Sequence, residues 1–264
     1  MPRPEHEPAW RIRPGSLPVV ATAIHSGHDL RPAVAALTAL GSEDRRREED
    51  PHTERLLPDD ATRVVVGRSR FEVDLNRPRD AAIYRTPEDA WGLTVWKAPL
   101  PLAVVQDSLA IYDRFYAELD HLLRSQVRRH GRVLLLDMHS YNYRRRGLHA
   151  PAQPPAQNPE INLGTGPLGG RWPAVAERFV DTLSKMPFLG GHLDVRENVR
   201  FKGGHLCRHV VRRFDGRVCP LAVEVKKIFM DEWSEQVYTE RLAALKTAFT
   251  RLMPELLDAM GGCG

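Results

Sequence analysis

The sequence predicts an α/β fold, a three-layer α/β/α arrangement around a mixed, mainly parallel sheet, and two observations carry that expectation. Short apolar, β-branched runs stop abruptly at polar residues, as buried strands do where they leave a sheet. Between them lie long segments whose apolar residues recur every three or four positions, the period of helices that cover such a sheet.

Residues 17–24, reading LPVVATAI, are the first such run and end at His25 and His28 in HSGH. Residues 133–137 do the same ahead of His139. Residues 63–66 with 71–75, and residues 221–225, are the other strand candidates, each leading into polar residues. Helices are expected over 102–129, where Leu109, Tyr112, Phe115, Tyr116, Leu119 and Leu122 form one stripe, and over 171–183 and 236–253. Residues 144–170, rich in Pro, Gly, Asn and Gln, read as a long loop beside a site, and residues 41–51 as a second, charged loop. The first 16 residues carry four prolines and predict a poorly packed arm.

A chain of 264 residues can be served by one core, so one domain is expected over 1–264. The content of 42% apolar and 27% charged residues fits a globular protein. No apolar run approaches the ~20 residues of a bilayer span, and residues 1–5, MPRPE, lack the apolar core of a secretory signal. A cytoplasmic protein without a membrane partner is expected. Cys207, Cys219 and Cys263 form no Cys-x-x-Cys pair and read as reduced thiols rather than a disulfide framework or a thiolate zinc site. The net charge of +4 is spread among 34 acidic residues, which argues against nucleic acid and for a small anionic substrate.

The chemistry sits at the strand ends. His25 and His28, then Asp74, Asn76 and Arg77 in DLNR, then Asp137, His139 and Ser140 in DMHS, and finally Glu224 each follow an apolar run. Two histidines, a carboxylate and an open position are what a catalytic zinc ion requires. Glu224 is placed to take a proton from water and return it to a leaving amine. Asn76 and Arg77 offer an amide and a planar cationic fork to a substrate carboxylate. Each motif alone has a plainer reading. A histidine after a strand is commonly structural, DLNR fits a capped turn with a surface ion pair, Glu224 beside Lys226 and Lys227 fits an edge-strand charge, and FKGG at 201–204 fits a hairpin turn.

Taken together, IHSG at 24–27, VDLNRPRD at 73–80, DMHS at 137–140, FKGGH at 201–205 and VE at 223–224 resemble the N-formylglutamate amidohydrolases, from about residue 17 to about residue 235. That family is similar in layout to the zinc carboxypeptidases and the aspartoacylase-like amidases. The resemblance implies a phosphorylase/hydrolase-like fold and one Zn2+ per chain, or another divalent ion, bound by His25 and His139. It further implies Asn76 and Arg77 as carboxylate binders and Glu224 as general base. The third ligand is open between His28, which stands where the carboxypeptidase pattern has Glu, and Asp50, which with His52 resembles the family's Asp and His of the next loop. The relatives' charge balance favours Asp50, with His28 then supporting a ligand or touching substrate. The FKGGH loop implies Lys202 and His205 near the substrate, with Asn198 beside them. The implied reaction converts N-formyl-L-glutamate to formate and L-glutamate. The alternatives are a zinc carboxypeptidase-like peptidase acting on a short peptide, and a non-catalytic protein of the same fold that holds an anion with Arg77 and Lys202.

Overall fold

The computed structural model describes residues 8–261. Among them, nine strands occur: β1 (Trp10–Arg13), β2 (Val19–Ala23), β3 (Thr62–Val66), β4 (Val133–Tyr141), β5 (Ile161–Gly164), β6 (Pro187–Phe188), β7 (Gly191–His192), β8 (Val195–Glu197) and β9 (Val218–Lys226). The helices are α1 (Pro32–Ala35), α2 (Ser42–Glu48), α3 (Leu102–His130), α4 (Pro173–Lys185), α5 (His205–Phe214) and α6 (Thr239–Gly261). Seven strands form one sheet in the order β1-β3-β2-β4-β9-β5-β8. Its four central strands are parallel. Antiparallel pairings attach β1 to β3 and β5 to β9, while β8 runs parallel to β5. This is the expected mixed, mainly parallel sheet.

Every residue of β2 and β4 is buried, because helices cover both faces. Alternate side chains divide between two cores. Val20, Val64, Val133 and Leu135 pack with Ile111, Phe115 and Leu119 of α3 and Leu206 and Val210 of α5. Leu134, Leu136, Met138 and Leu221 pack with Phe179 and Leu183 of α4 and Leu245, Phe249 and Leu252 of α6. The three layers follow directly from this period of two. No helix among the described residues is long and apolar enough to cross a membrane.

Several boundaries differ from the sequence reading, each for a local reason. Residues 71–75 form no strand. All five are buried, with Phe71 entering a small cluster with Tyr84 and Val95 while Glu72 and Asp74 are neutralised by Arg31 and Arg70, so the segment has no polar face to alternate with. Residues 42–48 are helix α2 rather than loop, their charges paired along it, as in Arg47 with Asp44 at 3.1 Å and Arg45 with Glu49 at 3.6 Å. The expected loop over 144–170 contains β5, whose short apolar run pairs with β9. Within the expected arm, residues 10–13 are edge strand β1, held by Trp10 edge-on to Phe115 at 5.4 Å. Residues 1–7 and Cys263 lie outside the described residues. FKGG at 201–204 leads into α5, which the apolar period did not suggest, instead of turning a hairpin. Cys207 and Cys219 are buried and unbridged.

The loop after β2 depends on a close approach of two backbones. A Cβ added at Gly27 would lie 2.2 Å from the carbonyl carbon of Gly67. Gly27→Ala is therefore expected to cost about 1–3 kcal/mol of stability by forcing the two loops apart. Urea unfolding measures this, and an unchanged midpoint would show that the contact is not made.

Candidate metal centre and active site

Adjacent strands bring the polar strand ends to one place. In the register of β2, β4 and β9, Thr22 stands beside Asp137 and His139 beside Glu224. His25 follows β2, and Asp50 follows α2, its N–H donating to the His25 carbonyl at 2.9 Å. Ligand-type atoms of His25, Asp50 and His139 all lie within 4.8 Å of one another, and all three residues are buried.

The orientation of the two rings is the informative feature. His139 Nδ1 lies 3.0 Å and His25 Nδ1 3.5 Å from Asp50 Oδ2. The opposite ring nitrogens are held by carboxylates, His25 Nε2 by Asp74 at 2.8 Å and His139 Nε2 by Asp137 at 3.0 Å. Asp137 is fixed in turn by the Thr22 hydroxyl at 2.8 Å. Asp74 accepts from Arg70 at 2.8 Å, from the Asn76 backbone at 2.8 Å and from the Tyr84 hydroxyl. As the residues stand, Nδ1 of each ring can donate to Asp50; a cation taking the place of those protons would find the Nε2 protons held by Asp74 and Asp137 and both Nδ1 lone pairs free to bind it, the arrangement by which carboxylates orient metal-binding histidines.

The electrostatics agree with that geometry. Burial opposes charge on Asp50, yet hydrogen bonds from His139 and His25 hold its carboxyl well below the usual carboxylate range. Burial likewise opposes charge on His139, yet Asp137 and then Asp50 push it well above the usual imidazole range. The pocket thus attracts positive charge, and two imidazoles with one carboxylate are a donor set that fits zinc or a similar divalent ion.

A cavity of about 340 Å³ opens onto this cluster, with Glu224, Asn76 and Lys202 also in its wall. Hollows of about 370 and 760 Å³ occur elsewhere, but among the described residues the converging metal-ligating groups are those of this cluster. Burial pushes the Glu224 carboxyl up to about 7. A cation held beside it acts in the opposite direction and favours the ionised, proton-accepting form. Lys227 is fully buried at the cavity wall and donates to the carbonyls of Arg47 and Glu49 at 2.6 and 3.0 Å, clamping the turn that delivers Asp50. Burial pushes its ammonium down to about 8.

The sequence candidates separate by position. His28 turns away from the cavity, with Nδ1 2.6 Å from Glu49 and Nε2 2.9 Å from the Ser42 hydroxyl, so of the two choices for a third ligand the structure brings Asp50 to the histidines. The Asn76 amide nitrogen lies 3.2 Å from His139 Nε2, and its oxygen accepts the Leu206 N–H at 3.1 Å. Only glycine fits at 204, where a Cβ would lie 2.1 Å from that oxygen, and Gly203 has φ of +110°.

Arg77 is not in the cavity wall. Its guanidinium donates to the Asp89 carbonyl and lies 4.5 Å over the Tyr84 ring, held there by Asp74 at 3.7 Å. His205 is also directed elsewhere, to the Tyr112 hydroxyl at 3.0 Å, and burial pushes it down to about 4, so it carries no charge for a carboxylate at neutral pH. Asn198 instead accepts from the Thr165 backbone at 3.0 Å. Arg70, Arg200 and Lys227 line the cavity without having been singled out as site residues. None of the three is the first polar residue after an apolar run, the feature that marks His25, His139 and Glu224 in the sequence.

If Lys227 acts through Asp50, Lys227→Met should weaken zinc binding by roughly 10–100-fold, the range for loss of a residue that supports a ligand. Competition with a chromophoric chelator reads this directly, and unchanged affinity would remove Lys227 from the site.

The sequence matches the N-formylglutamate amidohydrolase family over residues 17–253. It is 28% identical to the N-formylglutamate deformylase of Pseudomonas aeruginosa, covering 94% of this chain and 95% of that one. The fold is similar to a crystal structure of N-formylglutamate amidohydrolase from Ralstonia eutropha, with a TM-score of 0.76 at 21% identity over 96% of this chain and 98% of that one. It is also similar to a gene product of Agrobacterium tumefaciens, with a TM-score of 0.71 at 17% identity over 96% of each chain. The family match spans nearly all of the sheet and every residue of the cluster, and this chain belongs to the N-formylglutamate amidohydrolase family.

Proposed function

We propose that this chain is a zinc-dependent amidohydrolase that cleaves N-formyl-L-glutamate to formate and L-glutamate. The observation that carries the reading is the convergence of His25, Asp50 and His139 one strand away from Glu224, at the wall of a cavity that also holds several cations. A divalent ion bound by those three residues would supply Lewis acidity, polarising the formyl oxygen and making an attacking water acidic near neutral pH.

The chain's own residues do the rest. Asp74 and Asp137 hold the Nε2 protons and so keep both Nδ1 lone pairs directed inward. Glu224 accepts the proton of the attacking water as the C–O bond forms. It then delivers that proton to the glutamate nitrogen as the C–N bond breaks, which leaves formate and an amine. Its carboxylate makes no hydrogen bond to another described residue, so it is unencumbered for both transfers. Arg70, permanently charged and anchored on Asp74, faces the negative charge that develops on the formyl oxygen. Asn76 and Lys202, both in the cavity wall, orient the substrate, with Lys202 placing an ammonium on a long stem near a carboxylate.

Glu224→Gln should lower formate release by 100-fold or more, on the order expected for loss of a general base, while zinc content stays unchanged. Survival of a tenth of the activity, a loss of only about 1.4 kcal/mol, would show that Glu224 is not the base. Removing metal with a chelator should abolish formate release and added zinc should restore it. Full activity in the chelated protein would refute the metal-dependent part of the proposal.

A further inference from the structure

The cavity wall holds more positive charge than the cluster can account for, and most of it is already paired. Arg70 is bound to Asp74 at 2.8 Å, Arg145 to Glu48 at 2.9 Å and Arg47 to Asp44 at 3.1 Å. Lys227 donates to two carbonyls. Arg200 is different. Its Nη1 donates to two neutral amide oxygens, of Asn158 at 2.5 Å and Gln153 at 3.1 Å, and no carboxylate of a described residue is within ion-pairing distance. Its Nε is buried without a partner, and its Nη2 makes no hydrogen bond to a described residue. The guanidinium lies 5.2 Å over Tyr141 and 5.4 Å over Phe201, so two aromatic rings and two amides hold it in place. A guanidinium fixed this way in a cavity wall, with its charge uncompensated by protein, is complete only when an anion enters.

We propose that Arg200 is a specificity-determining residue that binds the side-chain carboxylate of the N-acylated acidic amino acid through its unengaged Nη2. The assignment rests on the amidohydrolase reading above. The spacing fits it. Tyr141, which Arg200 covers, follows His139 by two residues on β4 and so points to the same face about 7 Å further along. The four bonds from the amide nitrogen of a glutamate to its side-chain carboxyl carbon span about 5 Å. An amide held at His139 with its side chain extended along β4 would carry that carboxylate towards Tyr141 and the guanidinium over its ring, and a shorter or uncharged side chain would leave the guanidinium unpaired.

The test compares N-formyl-L-glutamate, N-formyl-L-glutamine and the α-amide of N-formyl-L-glutamate as substrates of the zinc-loaded protein. Wild type should prefer the glutamate compound over the glutamine compound by on the order of 100-fold in kcat/KM. Arg200→Met should shrink that preference to a few-fold, chiefly through KM, and leave discrimination against the α-amide intact. Arg200→Lys, which keeps the charge but not the fork, should retain part of the preference and serves alone if the Met variant does not fold. An undiminished preference for acid over amide in the variants overturns the assignment, and so does loss of α-amide discrimination instead. If wild type releases formate from none of the three, the amidohydrolase reading fails by itself. Calorimetric titration of the same compounds then decides Arg200 independently. A preference for the glutamate compound that vanishes in the variant upholds the assignment, and equal binding of all three to wild type overturns it.

Discussion

Three carboxylates, Asp50, Asp74 and Asp137, are buried around two imidazoles, and the rest of the site is arranged to make that tolerable. An ionised carboxylate taken from water without a partner costs several kcal/mol. Asp137 is answered by Thr22 and His139, and Asp74 by Arg70, Tyr84, His25 and the Asn76 backbone. Asp50 has only the two histidines and a 3.3 Å contact from the Ser140 hydroxyl. Of the trio it alone draws on both histidines, and it is the one that lines the cavity with them. The arrangement leaves room for a cation at one point while satisfying the other carboxylates with protein groups.

That constraint explains how distant segments are tied together. The parallel pairing of β2, β4 and β9 sets His25, His139 and Glu224 side by side, but it cannot place Asp50, which arrives on a turn after α2. Lys227, three residues past Glu224, does so by holding the carbonyls of Arg47 and Glu49. Asn76 performs the matching task on the other side, touching His139 with its amide while anchoring the start of α5 with its oxygen. Gly204 lets that loop approach Asn76 closely, and Gly203 supplies the positive φ that turns the chain beside Pro167. Arg77 belongs to this framework as well, since its stacking on Tyr84 and its contact with Asp74 steady the carboxylate that orients His25.

How much of this was legible in the sequence depended on whether a signal was local. The central strands were readable because burial on both faces makes them continuous apolar runs, and α3 because one face of a 29-residue helix is apolar. The edge strands β1 and β8, too short to leave a period, were not. Helix α2 was hidden because its stabilisation is ionic rather than apolar. Within the site, His25, His139 and Glu224 announced themselves as the polar residues that end apolar strands. The direction of a side chain was not announced. DLNR gave no sign that Asn76 faces the cavity while Arg77 turns to Tyr84, because that division depends on where Tyr84 and Asp89 lie in the folded chain. Arg200 was equally silent, since an arginine becomes informative only when its partners can be counted.

Counting partners also separates the roles of the cavity's cations. A paired arginine such as Arg70 has its geometry fixed before any ligand arrives, which suits stabilisation of charge that appears only during the reaction. A cation without an acidic partner must instead be neutralised by something that enters carrying its own negative charge, which suits recognition. The wall of the cavity contains both kinds, Arg70 on the carboxylate that holds His25 and Arg200 over Tyr141. An uncharged substrate would use the first and leave the second unpaired, so the same pairing pattern that holds the site together also selects for an acidic ligand.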